Sequence, residues 1–462
     1  MNAKVLVVGG GISGLATAYS LNREGIEVCL LERDGIAGGL IRSERKEGYL
    51  LERGPNSLLN INARLDVFCT EIRLDREKIF QNPESKSRYI LKKGALVSIP
   101  RTPLEFIRTP LLSAKGKFRA ALEPFVGPYR DAGLESVSDF VSRRFGREIL
   151  NYVVDPLIEG IYAGDPEKLS MKATFPRLTD LEARYGSVLK GFMIRKREER
   201  REKRIDLFSF KNGMGTLPDT LSRELEKNLV RDIRIDSIGP VSSGRSGFRL
   251  QGYRNGVQQT FDAEEVVLAV PAYEAARLIA PFSERIAQEL RLIEYAPVAI
   301  VNFGFSAAAL KRTFTGSGCL IPKNENRLLL GFRINSNLYR GRAPSGKMIV
   351  TCFMGGMRNP GIVRESDEAI TGKARLELQT LLGIEEKPEF VHLVRHLQAI
   401  PQYDMKHLQR LEVIAGELER VEGLHITGNY LKGVSIWDCI SQGLDLGRRI
   451  SEEQKRRAGV SN

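Results

Sequence analysis

The opening residues constrain the fold more than any other part of the chain. Residues 5–33, VLVVGGGISGLATAYSLNREGIEVCLLER, place a cluster of glycines between two apolar runs. The apolar run at residues 4–8 predicts a buried parallel strand. Gly9, Gly11 and Gly14 form GxGxxG, in which the first glycine permits a tight turn, the second lets a pyrophosphate approach the backbone, and the third lets a helix pack closely on the strand. The stretch therefore predicts a βαβ unit that binds a dinucleotide.

The residues after the glycines complete this unit. A helix is predicted from about Ile12 to Arg23, ended by Gly25, and a second strand, EVCLL, stops at Glu32. Glu32 follows Gly14 by 18 residues, where a βαβ unit places an acid that accepts hydrogen bonds from ribose hydroxyls. A secretory signal is the poorer interpretation because glycines and charges interrupt the apolar run. A glycine turn with a purely structural role would not need an acid at this distance after the last glycine.

Length and charge narrow the classes of protein. A chain of 462 residues exceeds one hydrophobic core, so two or three lobes built from non-contiguous segments are expected. The net charge of +13 fits an anionic partner, which could be nucleic acid, anionic lipid or a polycarboxylate substrate. The densest basic stretch, residues 195–204, is interleaved with glutamates and contains no aromatic residue to stack on bases, which favours a solvated helix or loop. Nucleic acid is therefore not expected as a partner.

Cysteines and histidines indicate neither disulfides nor a metal. The five cysteines lie far apart without a CxxC pair, which predicts a reducing compartment. His392 and His396 are four residues apart, but no acid or thiolate has the spacing to complete a metal site. No run of 18 apolar residues predicts a membrane-spanning helix.

Two further segments indicate which dinucleotide is bound. The glycine turns in residues 37–43 (AGGLIRS) and 50–57 (LLERGPNS), together with Arg42, can hold a phosphate and the pyrimidine side of a flavin. Residues 424–443, LHITGNYLKGVSIWDCISQG, predict a short strand, an irregular turn and a helix that begins near Gly433. The positive end of that helix would stabilise a reduced flavin. Both ends of the chain would then build one site.

With these residues assembled, the chain resembles the protoporphyrinogen oxidase family of flavoproteins, within the wider monoamine oxidase and phytoene desaturase superfamily. The resemblance covers nearly the whole chain and rests on GPNS, GIYAGDPEKLSMKATFP, FSFKNGMGTLP, IPQYDMKH and GNYLKGVSIWDCISQG. It implies an α/β protein with a Rossmann-type FAD domain of the p-hydroxybenzoate hydroxylase type, a mixed-sheet substrate domain and a helical lobe. The expected boundaries are residues 1–80, 205–275 and 411–462 for the FAD domain, 92–204 for the helical lobe, and 81–91 with 276–410 for the substrate domain.

The resemblance implies FAD contacts at both ends of the chain. They fall on Gly9, Gly10, Gly11, Ile12, Ser13, Gly14, Glu32, Arg33, Gly39, Leu40, Arg42, Gly54, Pro55, Asn56, Ser57, Ile238, Asn429, Val434, Ser435 and Ile436. Lys432 and Trp437 depart from the family's pattern, in which small or neutral residues are usual at these positions.

The resemblance also implies how a substrate would be held. Arg88 matches the arginine that pairs with a substrate propionate, a charge-assisted bond worth about 1.5 to 3 kcal/mol. Leu320 and Phe353 fall where the family packs apolar side chains on the tetrapyrrole, and Phe332 completes the expected substrate contacts. Gly160 matches a position whose backbone carbonyl faces the macrocycle. No side chain is expected to act as a general base.

The implied activity is the FAD- and oxygen-dependent, six-electron oxidation of protoporphyrinogen IX to protoporphyrin IX, with release of hydrogen peroxide, in haem synthesis. Coproporphyrinogen III, which carries four propionates where protoporphyrinogen carries two, is the alternative substrate. Another FAD amine oxidase-like enzyme and a non-enzymatic carrier are further alternatives, and the absorbance of bound flavin would separate the carrier from the enzymes.

The resemblance leaves the partners and the location open. A cytoplasmic protein is expected, and the basic amphipathic segment at residues 99–125 either lies on anionic lipid or covers the active site. A homodimer and the next haem enzyme, ferrochelatase, are candidate partners.

Overall fold

A computed structural model of the chain describes residues 2–60, 63–85, 87–127, 129, 134–198, 206–241, 247–310, 314, 316–457 and 459. Most of the basic stretch at residues 195–204 lies outside these described residues. The described strands are β1 (Asn2–Val8), β2 (Val28–Leu31), β3 (Ser43–Lys46), β4 (Tyr49–Glu52), β5 (Leu58–Leu59), β6 (Lys78–Phe80), β7 (Arg88–Lys92), β8 (Ala95–Ser98), β9 (Leu207–Phe210), β10 (Leu229–Val230), β11 (Arg234–Pro240), β12 (Phe248–Arg254), β13 (Val257–Leu268), β14 (Tyr295–Ser306), β15 (Gly318–Leu320), β16 (Leu329–Ile334), β17 (Lys347–Gly355), β18 (Phe390–Pro401) and β19 (Leu424–Ile426).

The described α-helices follow in the same order. They are α1 (Ile12–Arg23), α2 (Ala63–Glu71), α3 (Pro103–Arg108), α4 (Ala114–Ala121), α5 (Val137–Arg144), α6 (Arg147–Ile149), α7 (Asp155–Tyr162), α8 (Met171–Thr174), α9 (Pro176–Tyr185), α10 (Val188–Glu198), α11 (Thr216–Glu224), α12 (Ala272–Ile279), α13 (Glu284–Arg291), α14 (Asn335–Leu338), α15 (Asp367–Leu382), α16 (His407–Leu418) and α17 (Ile436–Arg457). A π-helical segment, Leu150–Val154, joins α6 to α7. In the part of the chain that is described, no helix is both long and apolar enough to cross a bilayer.

The first sheet carries the βαβ unit predicted from the opening residues. Strands β10, β2, β1, β13 and β19 are parallel, and β13 continues into an antiparallel meander with β12 and β11. Helices α1, α11 and α17 share a buried core with one face of the sheet, while the meander, α12 and α13 share a core with the other face. The predicted first helix has the observed bounds, and the sheet confirms a Rossmann-type domain.

The two ends of the chain meet at the packing of α1 against α17. A Cβ on Gly443 would lie 2.7 Å from the carbonyl oxygen of Ser13, and one on Gly447 would lie 2.6 Å from the Cβ of Ser20. Glycine at these two positions therefore permits the close approach of the helices. This contact fixes the C-terminal segment beside the glycine loop.

The second sheet is mixed and has the order β18-β14-β17-β16-β15-β7-β8. Among its described strands, β15 and β7 pair in parallel and the other pairs are antiparallel. Helix α15 packs on one face over a buried apolar cluster. The opposite face carries Leu320 and Phe353, and α7 covers it at Gly160.

The helical lobe comprises α3 to α10 and is held by a buried ion network. The Arg144 side chain is fully buried, and its Nη1 donates to Glu123 Oε1 at 2.9 Å. Its Nε donates to Glu182 Oε1 at 2.7 Å. Because both carboxylates bond to the guanidinium, the buried charge is neutralised, and removal of either partner would be strongly destabilising.

Two predicted domain boundaries differ from the structure. Strand β8 lies in the second sheet, whereas the expected boundary at residue 92 placed it in the helical lobe. The reason is a two-residue hairpin turn at Lys93 and Gly94, both with positive φ, which returns the chain antiparallel to β7. Helices α12 and α13 cover the first sheet, although residues 276–410 were expected in the substrate domain.

Candidate active site

The glycine loop between β1 and α1 forms a site with free backbone donors. A Cβ on Gly14 would lie only 1.9 Å from the carbonyl oxygen of Gly9, so a side chain there would displace backbone. A Cβ on Gly11 would meet no atom of the described residues within 4 Å, so the space beside it is open. Gly11 caps α1 without a side-chain hydrogen bond, and the first turn contains no acid. This helix N-terminus can therefore accept an anion such as a pyrophosphate.

Glu32 lies at the end of β2, directly beside this loop. Its Oε2 accepts a hydrogen bond from the Gly10 amide at 2.6 Å, and its Oε1 accepts one from the Asp34 amide at 2.8 Å. Burial is the main cause that raises the pKa of the Glu32 carboxyl group, and these two amides oppose the shift. The neighbouring Arg33 is largely exposed and pairs with Asp34 at 3.7 Å. The carboxyl group thus occupies the position expected of a ribose acceptor.

The second glycine turn packs on the first. The amide of Gly38 donates to the carbonyl of Gly10 at 2.7 Å, and a Cβ on Gly39 would lie 3.4 Å from the Cα of Gly11. Arg42 donates from Nη2 to Asp34 Oδ2 at 2.7 Å, while its buried Nε has no partner among the described residues. Leu40 is exposed beside this turn.

The GPNS segment joins this site to the second sheet. Asn56 Oδ1 accepts a hydrogen bond from Arg333 Nη1 at 3.1 Å, and Ser57 Oγ accepts one from the Tyr339 hydroxyl at 2.8 Å. A Cβ on Gly54 would lie 2.3 Å from the carbonyl oxygen of Leu40, so this segment, with the following Pro55, presses against the second glycine turn.

The C-terminal segment reaches the same region at the start of α17. The helix begins at Ile436, not near Gly433 as predicted, because Ser435 and Asp438 cap it. The Asp438 amide donates to Ser435 Oγ at 3.1 Å, and the Ser435 amide donates to Asp438 Oδ2 at 3.2 Å. The acid at this terminus offsets the positive end of the helix dipole. Val434 packs on the core of the helical lobe.

The remaining predicted cofactor residues have backbone roles. The Tyr403 hydroxyl donates a hydrogen bond to the carbonyl oxygen of Asn429, which fixes the turn before α17.

Ile238 is buried in the meander and does not itself bond to Glu32. The residue that bonds to Glu32 is Ile233, whose amide donates to the Glu32 carbonyl at 2.9 Å. A cofactor contact at Ile238 therefore stays a prediction. Ile12 and Ser13 are buried in the first turn of α1.

These features fit an extended flavin dinucleotide. The uncapped amides at the N-terminus of α1 lie beside the open space at Gly11 and can donate hydrogen bonds to phosphate, while Glu32 is an acceptor for ribose hydroxyls. The segments at residues 38–42, 54–57 and 429–436 come from three separate parts of the chain and extend the site from the first sheet to the second.

Four of the five predicted substrate residues gather at one face of the second sheet. Gly331 pairs with Leu320 on one side and with Phe353 on the other, so these residues share a face. Arg88 pairs with Gly318, two residues before Leu320, on that same face. A Cβ on Gly160 would lie 3.1 Å from Leu320 Cδ2.

Phe332 is a wrong prediction for a substrate contact. It pairs with Cys319 and Cys352 and lies in the buried cluster under α15, with its ring centroid 5.9 Å from that of Phe314. Because successive side chains alternate across a strand, the residue between Gly331 and Arg333 must face away from the substrate side.

Sequence reasoning missed Glu52, which ties the two cofactor segments together. Its Oε2 accepts a hydrogen bond from the Ser43 hydroxyl at 2.5 Å, and its Oε1 accepts one from the Met214 amide at 3.0 Å. Burial raises the pKa of the Glu52 carboxyl group to about 7. The signal for this residue was an acid two residues before the GPNS turn.

The Glu52→Gln variant should remove part of the pH dependence of stability. The pKa of Glu52 rises from 4.5 to about 7 on folding, so the native state loses stability as pH increases through that interval. The difference in unfolding free energy between the variant and the wild type should shift in favour of the variant by up to about 3 kcal/mol. Thermal unfolding of both proteins across this interval tests the expectation, and parallel pH profiles would contradict it.

The fold and the site together define a flavin-dependent oxidoreductase with a dinucleotide domain and a separate substrate sheet. The chain belongs to the family of flavin-containing amine oxidoreductases, which it matches over residues 12–450, and its cofactor is FAD. Comparison with curated proteins also confirms the resemblance to the protoporphyrinogen oxidases.

Relatives cover almost the full chain. A protein of Arabidopsis thaliana named protoporphyrinogen oxidase 2, chloroplastic/mitochondrial, is 31% identical over 95% of this chain and 92% of its own length. A protein of Bacillus subtilis named coproporphyrinogen III oxidase is 29% identical over 95% of this chain and 96% of its own length. A crystal structure from Exiguobacterium sp., provisionally described as a protoporphyrinogen oxidase, has a TM-score of 0.82 and 24% identity over 98% of this chain and 99% of its own, which supports the fold.

Proposed function

We propose that this protein oxidises a porphyrinogen to the corresponding porphyrin, with protoporphyrinogen IX as the first candidate and coproporphyrinogen III as the second. The observation that carries the proposal is the sheet face that presents Arg88 beside Leu320 and Phe353, linked through Asn56 to the FAD segments. Relatives named for each of the two substrates support the reaction class.

The residues of this face bind and orient the substrate. FAD, when bound, supplies the two-electron acceptor for each dehydrogenation. Leu320 and Phe353 offer apolar surface to a macrocycle, and Gly160 lets the backbone of α7 approach Leu320, whose Cδ2 would lie 3.1 Å from a Cβ at that position. Arg88 holds a carboxylate at the edge of this surface. Positioning of the substrate is thus the main contribution of the protein.

Proton removal does not require a side chain in this proposal. The face presents arginine, apolar residues and glycine, and we place no carboxylate or imidazole in the role of general base. Substrate N–H protons would pass to solvent. Molecular oxygen is proposed as the final electron acceptor, with hydrogen peroxide as its product.

Comparison of the two porphyrinogens on purified holoenzyme tests the function. Porphyrin fluorescence should develop with at least one of them, and the ratio of the two kcat/KM values assigns the preference. Peroxide release with an amine and no fluorescence with either porphyrinogen would favour an amine oxidase. A protein that purifies without flavin absorbance and cannot be reconstituted with FAD would favour a carrier.

We further propose that the helical lobe rests on an anionic lipid surface, with the protein otherwise in the cytoplasm. Ile107, Phe118 and Phe125 are 66%, 68% and 84% exposed, and they accompany the basic residues of α4. Exposed apolar side chains with lysine and arginine around them favour binding at a membrane interface. A homodimer and delivery of product to ferrochelatase stay predictions from the resemblance.

A variant with serine at all three positions should lose this binding. Replacing Ile107, Phe118 and Phe125 removes apolar surface that would enter the interface, so co-sedimentation with vesicles of phosphatidylglycerol should fall at least tenfold. The matched control places serine at Leu376 and Leu397, which are 64% and 61% exposed outside the helical lobe. Equal sedimentation of all three proteins would contradict the proposal.

A further inference from the structure

Two arginines lie on the substrate face with a glycine between them. Gly318 on β15 pairs with Arg88 on β7 and with Arg333 on β16, so the three residues form one row across three strands. Neighbouring strands are about 4.8 Å apart, which places the two arginine Cα atoms about 10 Å from each other. Gly318 contributes no side chain between them, and a Cβ at this position would lie 3.2 Å from the Arg333 Cγ.

Neither guanidinium has an acidic partner among the described residues. Arg333 donates from Nη1 to the neutral Asn56 Oδ1, and no ion pair of Arg88 or Arg333 occurs in the part of the chain that is described. Desolvation lowers the pKa of both groups, and the positive charge of Arg88 lowers that of Arg333 further. Two like charges therefore face each other without compensation.

Two buried arginines elsewhere in the described residues are neutralised by acids, whereas buried Arg342 hydrogen-bonds to neutral groups, the Ser209 hydroxyl and the carbonyls of Phe210 and Lys211. Arg144 bonds to Glu123 and Glu182, and Arg410 donates to both carboxylate oxygens of Asp404 at 2.9 and 3.0 Å. An uncompensated cation pair costs stability, so its presence at a sheet face built for substrate indicates an anionic ligand.

We propose that Arg88 and Arg333 each bind a carboxylate group of the substrate, so that the site takes a porphyrinogen through two propionates at once. This inference rests on the proposed function and extends it, because the family resemblance assigns a propionate to Arg88 alone. Arginine suits the task because its planar fork bonds a carboxylate through two parallel N–H groups.

A role for Arg333 in holding FAD phosphate is the competing interpretation. The phosphate donors described above lie at the N-terminus of α1, which follows β1 of the first sheet, whereas Arg333 projects from the second sheet beside Arg88. Its bond to Asn56 touches the FAD segment through a side-chain amide and not through a charge. The arrangement therefore favours a substrate carboxylate.

The experiment compares Arg333→Met, Arg88→Met and the double variant with the wild-type holoenzyme. Arg254→Met is the control, because Arg254 is exposed at the end of β12 and its loss changes the net charge equally. Dissociation constants are measured by fluorescence for coproporphyrin III and for its tetramethyl ester, and FAD content is measured by absorbance. KM and kcat are measured for both porphyrinogens.

The proposal expects each single variant to bind the free acid about 10- to 100-fold more weakly and to bind the ester as the wild type does. KM should rise by a similar factor with little change in kcat, and FAD content should stay equal in all proteins. The inference would be overturned if a variant lost equal affinity for the free acid and for the ester. It would also be overturned if Arg333→Met bound the free acid as tightly as the wild type does, or if this variant lost its FAD. Failure of the wild type to oxidise any porphyrinogen would instead refute the proposed function.

Discussion

Gly11→Glu should give a folded protein that no longer binds FAD. Gly11 has φ −67° and ψ 173°, which any residue can adopt, and a Cβ there would lie more than 4 Å from every atom in the described part of the chain. The glutamate side chain would therefore leave the fold intact and enter the open space at the N-terminus of α1. There it would place a negative charge where the structure offers free amides to a pyrophosphate. We expect FAD affinity to fall at least 1,000-fold, which corresponds to about 4 kcal/mol.

Two companion variants separate loss of the cofactor from loss of the fold. Gly416→Glu introduces the same side chain at an exposed position of α16 with equally open surroundings, and it should retain full flavin absorbance. Gly14→Ala should instead destabilise the domain, because its Cβ would lie 1.9 Å from a backbone oxygen. Circular dichroism and released-flavin assays test all three, and a yellow Gly11→Glu protein would show that the dinucleotide lies elsewhere.

Gly160→Leu should retain FAD and lose turnover. Gly160 lies inside α7, where leucine has the better helix propensity, so the helix itself should gain stability. Its new side chain, however, would project toward Leu320, whose Cδ2 would already lie 3.1 Å from the Cβ. It would fill the space above the sheet face that the substrate needs. We expect kcat/KM for a porphyrinogen to fall at least 100-fold, about 2.7 kcal/mol in transition-state binding.

The control for this variant is Gly372→Leu in α15, a helical glycine whose Cβ would meet open space. It should retain wild-type kinetics. Combining Gly160→Leu with Leu320→Ala should restore part of the activity, because the smaller side chain returns volume to the same space. Full activity in Gly160→Leu alone would place the substrate away from this face.

The sequence predicted the elements whose signals are local. The GxGxxG loop, the helix Ile12–Arg23 and the acid at Glu32 follow from glycine conformation and apolar periodicity, and the structure has them where they were expected. The contact between the two ends of the chain was also predictable, since both ends carry glycine turns and the family resemblance joins them. Its physical cause, the close approach at Gly443 and Gly447, required the packed helices.

Features that depend on strand register could not be read from the sequence. Phe332 stands one residue from Gly331, and only the pairing of β16 with its neighbours decides that it faces α15. Arg333 escaped notice for the same reason, because its proximity to Arg88 arises through Gly318 on the strand between them. Strand β8 was missed because it consists of only four residues, Ala95–Ser98, which follow the Lys93–Gly94 turn and are too few to indicate a strand.

Anaerobic mixing of the purified holoenzyme with a porphyrinogen tests the central claim, that FAD held by both chain ends oxidises a tetrapyrrole on the adjoining sheet face. The flavin absorbance should disappear in a single turnover, and readmitted oxygen should restore it as porphyrin fluorescence develops. Flavin that stays oxidised in the presence of both porphyrinogens would contradict the account.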